Sequence, residues 1–159
     1  MFKVSFKDAP KNPTKLVTKW GNETTVVLNG TVKIPAFMRY IPEEIISWIN
    51  EQTLIDGTDD LANMRLIVIA KGTARCHPDD KYDTVLGERL AESRAKYNIY
   101  KFFYELSYKL SEYYGTILYG NAIVDDPKEG LMADVCKYER LCRMEKDHQT
   151  DLLNGNKHE

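Results

Sequence analysis

The chain has 159 residues, 43% of them hydrophobic and 29% charged, with a formal net charge of −2. That length fits one domain with a sizeable core. So slight a charge excludes a basic field for non-specific nucleic-acid binding, and it is too weakly acidic for a strong nucleic-acid mimic.

Phe2, Val4 and Phe6 alternate like a first strand, and Met1 to Phe6 lacks the apolar core of a signal peptide. Asp8 to Pro13 breaks that strand, because two prolines and an asparagine sit together. Thr14 to Trp20 reads as a second strand, followed by a tight turn at Gly21-Asn22. Thr24 to Leu28 and Thr31 to Ile34 flank Asn29-Gly30, a dipeptide whose tolerance of positive φ predicts a hairpin there. Pro35 ends this meander, and Ala36 to Ile41 is an apolar connector.

Pro42, Glu43 and Glu44 suit a helix N-terminus, where a missing N–H costs nothing and negative charge is favoured. Ile45, Ile46, Trp48 and Ile49 then form a short amphipathic helix ending near Thr53. Asp56 to Asp60 is an acidic loop. Met64 to Ala70 reads as a buried strand, with Gly72 as a bulge that lets it continue to Cys76. Pro78 stops it, since proline cannot donate to a sheet ladder.

The longest helical pattern follows and runs to Tyr114. Ala91, Ala95, Ile99, Phe102, Phe103, Leu106, Leu110 and Tyr113 share one face, which is the expected core side. Leu86, Leu90, Tyr97, Tyr104 and Tyr108 gather on the other. A helix apolar on two sides is either sandwiched between layers or offers one side to a partner; packing grounds favour the last helix as the cover. Gly115 and Gly120-Asn121 punctuate the chain next. Asp126 as N-cap and Pro127 at the first position begin a final helix reaching about Leu152. Its apolar stripe is Leu131, Val135, Tyr138 and Cys142, and Lys137, Arg140, Arg143 and Lys146 form a solvated side.

These elements predict an α+β fold: an antiparallel sheet of about four to six strands, with one short helix, and with the long central and C-terminal helices covering one face. A single domain over 1–154 is expected, with a frayed tail at 155–159.

Candidate chemistry is thin. Cys76, His77, Cys136, Cys142 and His148 lack zinc-ligand spacing: Cys136 and Cys142 diverge by roughly 120° around a helix, and strand neighbours Cys76 and His77 point to opposite faces. That same geometry denies them a Cys–His dyad. Three cysteines, an odd and low count, fit reduced thiols better than a disulfide framework. Asp79, Asp80 and Asp83 could hold Mg²⁺, but capping of the long helix by Asp80 or Asp83 is the better reading. No metal, cofactor or catalysis is expected. A meander followed by a helix also suggests a double-stranded-RNA-binding module, yet Asp83 and Glu88 make that helix start acidic where phosphate grip needs lysines.

The spacing Ala74-x-Cys76-x-Pro78-x-Asp80-x-Tyr82-Asp83-x3-Gly87-x2-Leu90-Ala91-x2-Arg94-Ala95 resembles a module in small proteins of phages and prophages of Gram-positive bacteria. Its residues have structural roles: Pro78 stops the strand, Gly87 permits close approach of helix to sheet, and Arg94 reaches back to the carboxylates. Size and flanking pattern also resemble anti-CRISPR proteins of staphylococcal phages that inhibit a type II CRISPR effector nuclease. That resemblance implies a stoichiometric blocker in the host bacterial cytoplasm, monomeric or a small homo-oligomer, whose partner is the guide-loaded nuclease. Direct nucleic-acid binding and membrane association are not expected of it. The contact candidates are Asp79, Asp80, Glu88, Tyr97, Tyr104 and Tyr108, with the loop of Asp56, Asp59 and Asp60 as a second surface. The alternatives are a nucleic-acid-binding phage accessory protein and a phage assembly protein.

Overall fold

The computed structural model describes residues 2–6, 15–33, 42–51, 65–76, 83–117 and 127–155. Within them the chain runs β1 (Val4–Ser5), β2 (Lys15–Trp20), β3 (Glu23–Lys33), α1 (Glu43–Glu51), β4 (Arg65–Arg75), α2 (Thr84–Ile117) and α3 (Pro127–Gly155). The fold is α+β. The breaks and connectors expected at 8–13, 35–41 and 56–60, the stop at Pro78, the turn at Gly120-Asn121 and the cap at Asp126 lie outside the described residues.

β3 is the spine of the sheet. β4 pairs with it antiparallel along its whole length, from Glu23↔Arg75 to Lys33↔Arg65. A strand has only two flanks, so β1 and β2 share the other: β2 along residues 23–28 of β3 and β1 at Thr31 and Val32. Four strand segments therefore make a sheet three strands wide, narrower than the pattern suggested.

The β2–β3 turn is Gly21-Asn22, where Gly21 has φ +55°, a conformation open to glycine at little steric cost. Asn29-Gly30 is not a turn. It lies inside β3, paired with Ile69 and Val68. Gly30 serves packing instead: a Cβ there would meet the Val4 side chain at 3.1 Å. Gly72 is likewise not a bulge, because the register continues one-to-one through Val26↔Gly72. A Cβ built on it would collide with the carbonyl oxygen of Ala91 and the backbone nitrogen of Ala95. It is the point at which α2 lies directly on β4.

Asp83 starts α2. Its carboxylate accepts from the N–H groups of Val85 (2.8 Å) and Leu86 (3.0 Å), and its carbonyl accepts from Gly87 (2.9 Å). The helix continues through Gly115, which does not end it, to 34 residues, about 50 Å at 1.5 Å per residue. Pro42 immediately precedes α1, and its carbonyl accepts from Ile45 and Ile46.

The layers follow from the faces of α2. Ala91, Ala95, Ile99, Phe102, Leu106 and Leu110 are buried toward Thr24, Val26, Leu28, Val68, Ala70 and Ala74 of the sheet. Ser93, Tyr97 and Tyr100 turn about 180° away and meet α3, and Tyr104 shares that side of the helix. α3 thus forms a third layer on α2, the cover that packing grounds favoured for the second face of that helix. At one corner Phe2 joins the layers. Its N–H donates to the buried Asp134 carboxylate, its carbonyl accepts from Lys137 Nζ (2.8 Å) and the Tyr138 hydroxyl (2.9 Å), and its ring packs on Phe103. Burial, followed by the Asp134 charge, holds the Tyr138 phenol far above its ordinary pKa, so it stays a donor.

Both flanks of α2 are pinned. On one, Lys15 of β2 bridges Glu88 and Glu92 at 2.7 Å each, and Lys19 approaches Glu88 at 3.7 Å. On the other, Arg94 donates to the Thr73 carbonyl and Asn98 to the Lys71 carbonyl (3.0 Å). Arg94 therefore reaches a β4 carbonyl on the edge that pairs with no other described strand, where the resemblance sends it to the acidic loop.

Candidate functional site

Alternation along the strands separates two sheet faces. Leu16, Thr18 and Trp20 have the parity of Val27, Thr25 and Glu23, to which they are paired, and these pair in turn with Lys71, Thr73 and Arg75. Three rows cross the outer face: Trp20–Glu23–Arg75, Thr18–Thr25–Thr73 and Leu16–Val27–Lys71. Arg75 bridges Glu23 at 2.6 Å, and the Thr25 and Thr73 hydroxyls lie 3.3 Å apart. α1, α2 and α3 pack on the opposite side. Trp20 is 88% exposed and Leu16 54%, an exposed indole beside the hairpin turn and an exposed aliphatic side chain two rows away on the same face.

The sequence candidates are distributed differently. Glu88 is engaged by Lys15 and Lys19. Tyr97 is half-buried, with the Lys146 ammonium 5.4 Å from its ring centre. Tyr104 is half-buried against the core. The tyrosine side of α2 is therefore largely the seat of α3, as packing grounds favoured. Tyr108 is the exception at 45% exposed; its hydroxyl is hydrogen-bonded to Glu112, which raises its pKa. Asp56, Asp59, Asp60, Asp79 and Asp80 lie outside the described residues. Trp20 and Leu16 went unrecognised because a strand pattern does not say which face lacks a cover. The available signal was a tryptophan closing a strand at a Gly-Asn turn.

The ion pairs carry a pH signature. The Lys15 hydrogen bond, then its charge, lowers the Glu88 pKa; for Glu92 burial opposes ionisation, but the bonds and charges of Lys15 and Lys96 together outweigh it. The hydrogen bonds that Lys15 donates to Glu88 and Glu92 raise its own pKa. Depressed carboxylates stabilise the fold above their ordinary value of 4.5, and the gain disappears as pH falls through the folded values. A raised lysine stabilises below 10.5, and its gain is lost as pH rises past the folded value. The tie therefore works between those limits and, being partly solvated, is worth under about 1 kcal/mol per pair. Lys15→Met should flatten the acid limb of a stability-versus-pH curve measured by urea unfolding; an unchanged limb would mean the tie is energetically silent.

Among the described residues no group of three or more His, Cys, Asp or Glu side chains could hold a metal ion, and no helix is long and apolar enough to cross a membrane. Cys136 is exposed, whereas Cys76 and Cys142 are half-buried. Burial pushes the Cys142 thiol up to about 11, leaving about one thiolate in ten thousand at pH 7. Timed alkylation with iodoacetamide followed by peptide mass mapping should label Cys136 well before Cys142; the reverse order would contradict the packing of α3 on α2.

No family model matches the chain, and no curated protein or solved structure shows significant similarity to it.

Proposed function

We propose that the chain is a phage-encoded inhibitor that binds a host type II CRISPR effector nuclease and blocks target DNA cleavage by occluding a nuclease domain or its docking path. The observation that carries a binding role is Trp20 at 88% exposure on the outer sheet face, on which none of the described helices packs. An exposed indole at one end of a sheet face that also carries Leu16, Lys71 and the Glu23–Arg75 ion pair has the make-up of an interface anchor with polar groups around it. The net charge of −2 supports shape-complementary covering over imitation of a phosphate backbone. The nuclease as target rests on the resemblance described above, as does the host cytoplasm as its place of action.

Affinity capture from host lysate, followed by titration into a reconstituted cleavage reaction, tests the reading. Recovery of the guide-loaded effector is expected, with cleavage falling to a floor near one inhibitor per effector. Failure to recover any nuclease, or inhibition that needs no stoichiometric complex, would defeat it.

A nucleic-acid-binding accessory role is favoured by one observation: an exposed tryptophan, a side chain on which a base can stack, on a sheet face that also carries Lys71. Gel shifts at moderate salt separate the two readings. Tight binding of DNA or RNA by the isolated protein would favour this second role.

A further inference from the structure

We propose that the groove between the start of α1 and the C-terminal half of α2 is a socket for an arginine side chain of a partner protein. The groove encloses about 400 Å³ and is lined by Glu44, Ile45 and Trp48 of α1 and by Lys109, Glu112 and Tyr113 of α2. It lies on different elements from the Trp20 face and does not depend on which protein supplies the arginine.

Three features define the occupant. The wall is aromatic: Trp48 stacks on the buried Phe102 ring with centres 5.4 Å apart and planes 6° from parallel, so the indole is held in one orientation. Its lining includes two carboxylates, Glu44 and Glu112, both on exposed residues. A cation already uses the wall: the Lys109 ammonium stands 5.2 Å from the Trp48 ring centre. That distance is within the range of a cation–π contact, which tryptophan makes best among the aromatic side chains. Lys109 acts as a resident stand-in, showing which charge the wall favours.

Among the described lining residues two carboxylates stand with one ammonium, a balance that favours a cation. A guanidinium meets these demands better than a second ammonium. It is planar, stacks on an indole, is weakly hydrated, and can grip a carboxylate with two parallel N–H donors. Lys109 is then the competitor that an incoming arginine displaces from the ring. The groove therefore has a signed prediction: removing the resident cation strengthens binding, and removing the carboxylates weakens it.

The test uses the full chain with Trp20→Phe, which leaves Trp48 as the single tryptophan of the two. N-acetyl-arginine amide, whose blocked ends leave the guanidinium as its one charge, is titrated while Trp48 fluorescence is followed. N-acetyl-leucine amide and N-acetyl-lysine amide serve as comparators. The expected result is a saturable change with a dissociation constant on the order of millimolar, as a single cation–π contact with charge assistance provides. Glu44→Gln with Glu112→Gln should weaken it at least about fivefold, and Lys109→Met should strengthen it at least about threefold. Both glutamates are on exposed residues, so these variants should fold, and an unchanged urea midpoint confirms it. An equal response to the leucine amide, indifference to the loss of both carboxylates, or weaker binding in Lys109→Met would overturn the socket. A lysine amide that binds as tightly as the arginine amide would overturn the guanidinium assignment.

Discussion

Gly72→Ala should destabilise the protein by at least about 3 kcal/mol, at or above the upper end of ordinary core overpacking. The added Cβ meets the Ala91 carbonyl oxygen and the Ala95 nitrogen, which are helix backbone and not the tip of a flexible side chain. No rotamer change relieves it. Either α2 lifts from β4, opening voids beside Ala91, Ala95 and Ile99, or the middle of β4 bends away from β3. Both responses also strain the Arg94 and Asn98 bonds to the Thr73 and Lys71 carbonyls. Urea unfolding should show a lower midpoint with an unchanged slope if the native state keeps its compactness. Gly115→Ala is the matched control with the opposite sign. A Cβ there meets at nearest the flexible Lys128 ammonium end at 3.5 Å. Replacing a helical glycine by alanine without a clash stabilises by about 0.5–1 kcal/mol. If Gly72→Ala cost less than about 1 kcal/mol, the seating of α2 on β4 described above would be wrong.

The sequence was informative wherever the deciding interactions are local. Asp83 before an apolar-periodic run is a cap by composition and position, and it caps. The stripe of Leu131, Val135 and Tyr138 repeats at helical spacing and is buried. Long-range pairing decided the rest. Gly21-Asn22 and Asn29-Gly30 carry almost the same turn chemistry, and only the pairing of β4 with all 11 residues of β3 makes the second a strand interior. Gly72 reads as a bulge from its neighbours, whereas its purpose lies in a helix about 20 residues further on. The two-sided helix was legible as a pattern, and its tyrosines were the natural candidates for a contact surface. Which side of α2 meets α3 depends on the three-layer stacking, and that arrangement buries much of Tyr97 and Tyr104. For the same reason the alternation of β2 did not single out Trp20: alternation assigns a residue to a face, and exposure depends on what covers that face elsewhere in the chain.

Trp20→Ala should cost at least about 2 kcal/mol of partner binding, roughly a 30-fold rise in Kd, if the outer sheet face is the contact surface. The same substitution should move folding stability by under about 0.5 kcal/mol, because a side chain 88% exposed has little burial to lose. That split between binding and stability distinguishes an anchor from a core residue. Tyr104→Ala provides the contrast. Its ring packs against the core cluster, so its loss should lower the urea midpoint through the α2–α3 interface while leaving the Trp20 face intact. Tyr108→Ala addresses the one tyrosine of that helix side that remains largely exposed. Calorimetric titration of each variant against the captured partner should give one large loss, at Trp20. A large loss at Tyr108 with Trp20→Ala unaffected would move the contact surface to the groove end of α2 and remove the outer sheet face from the binding account.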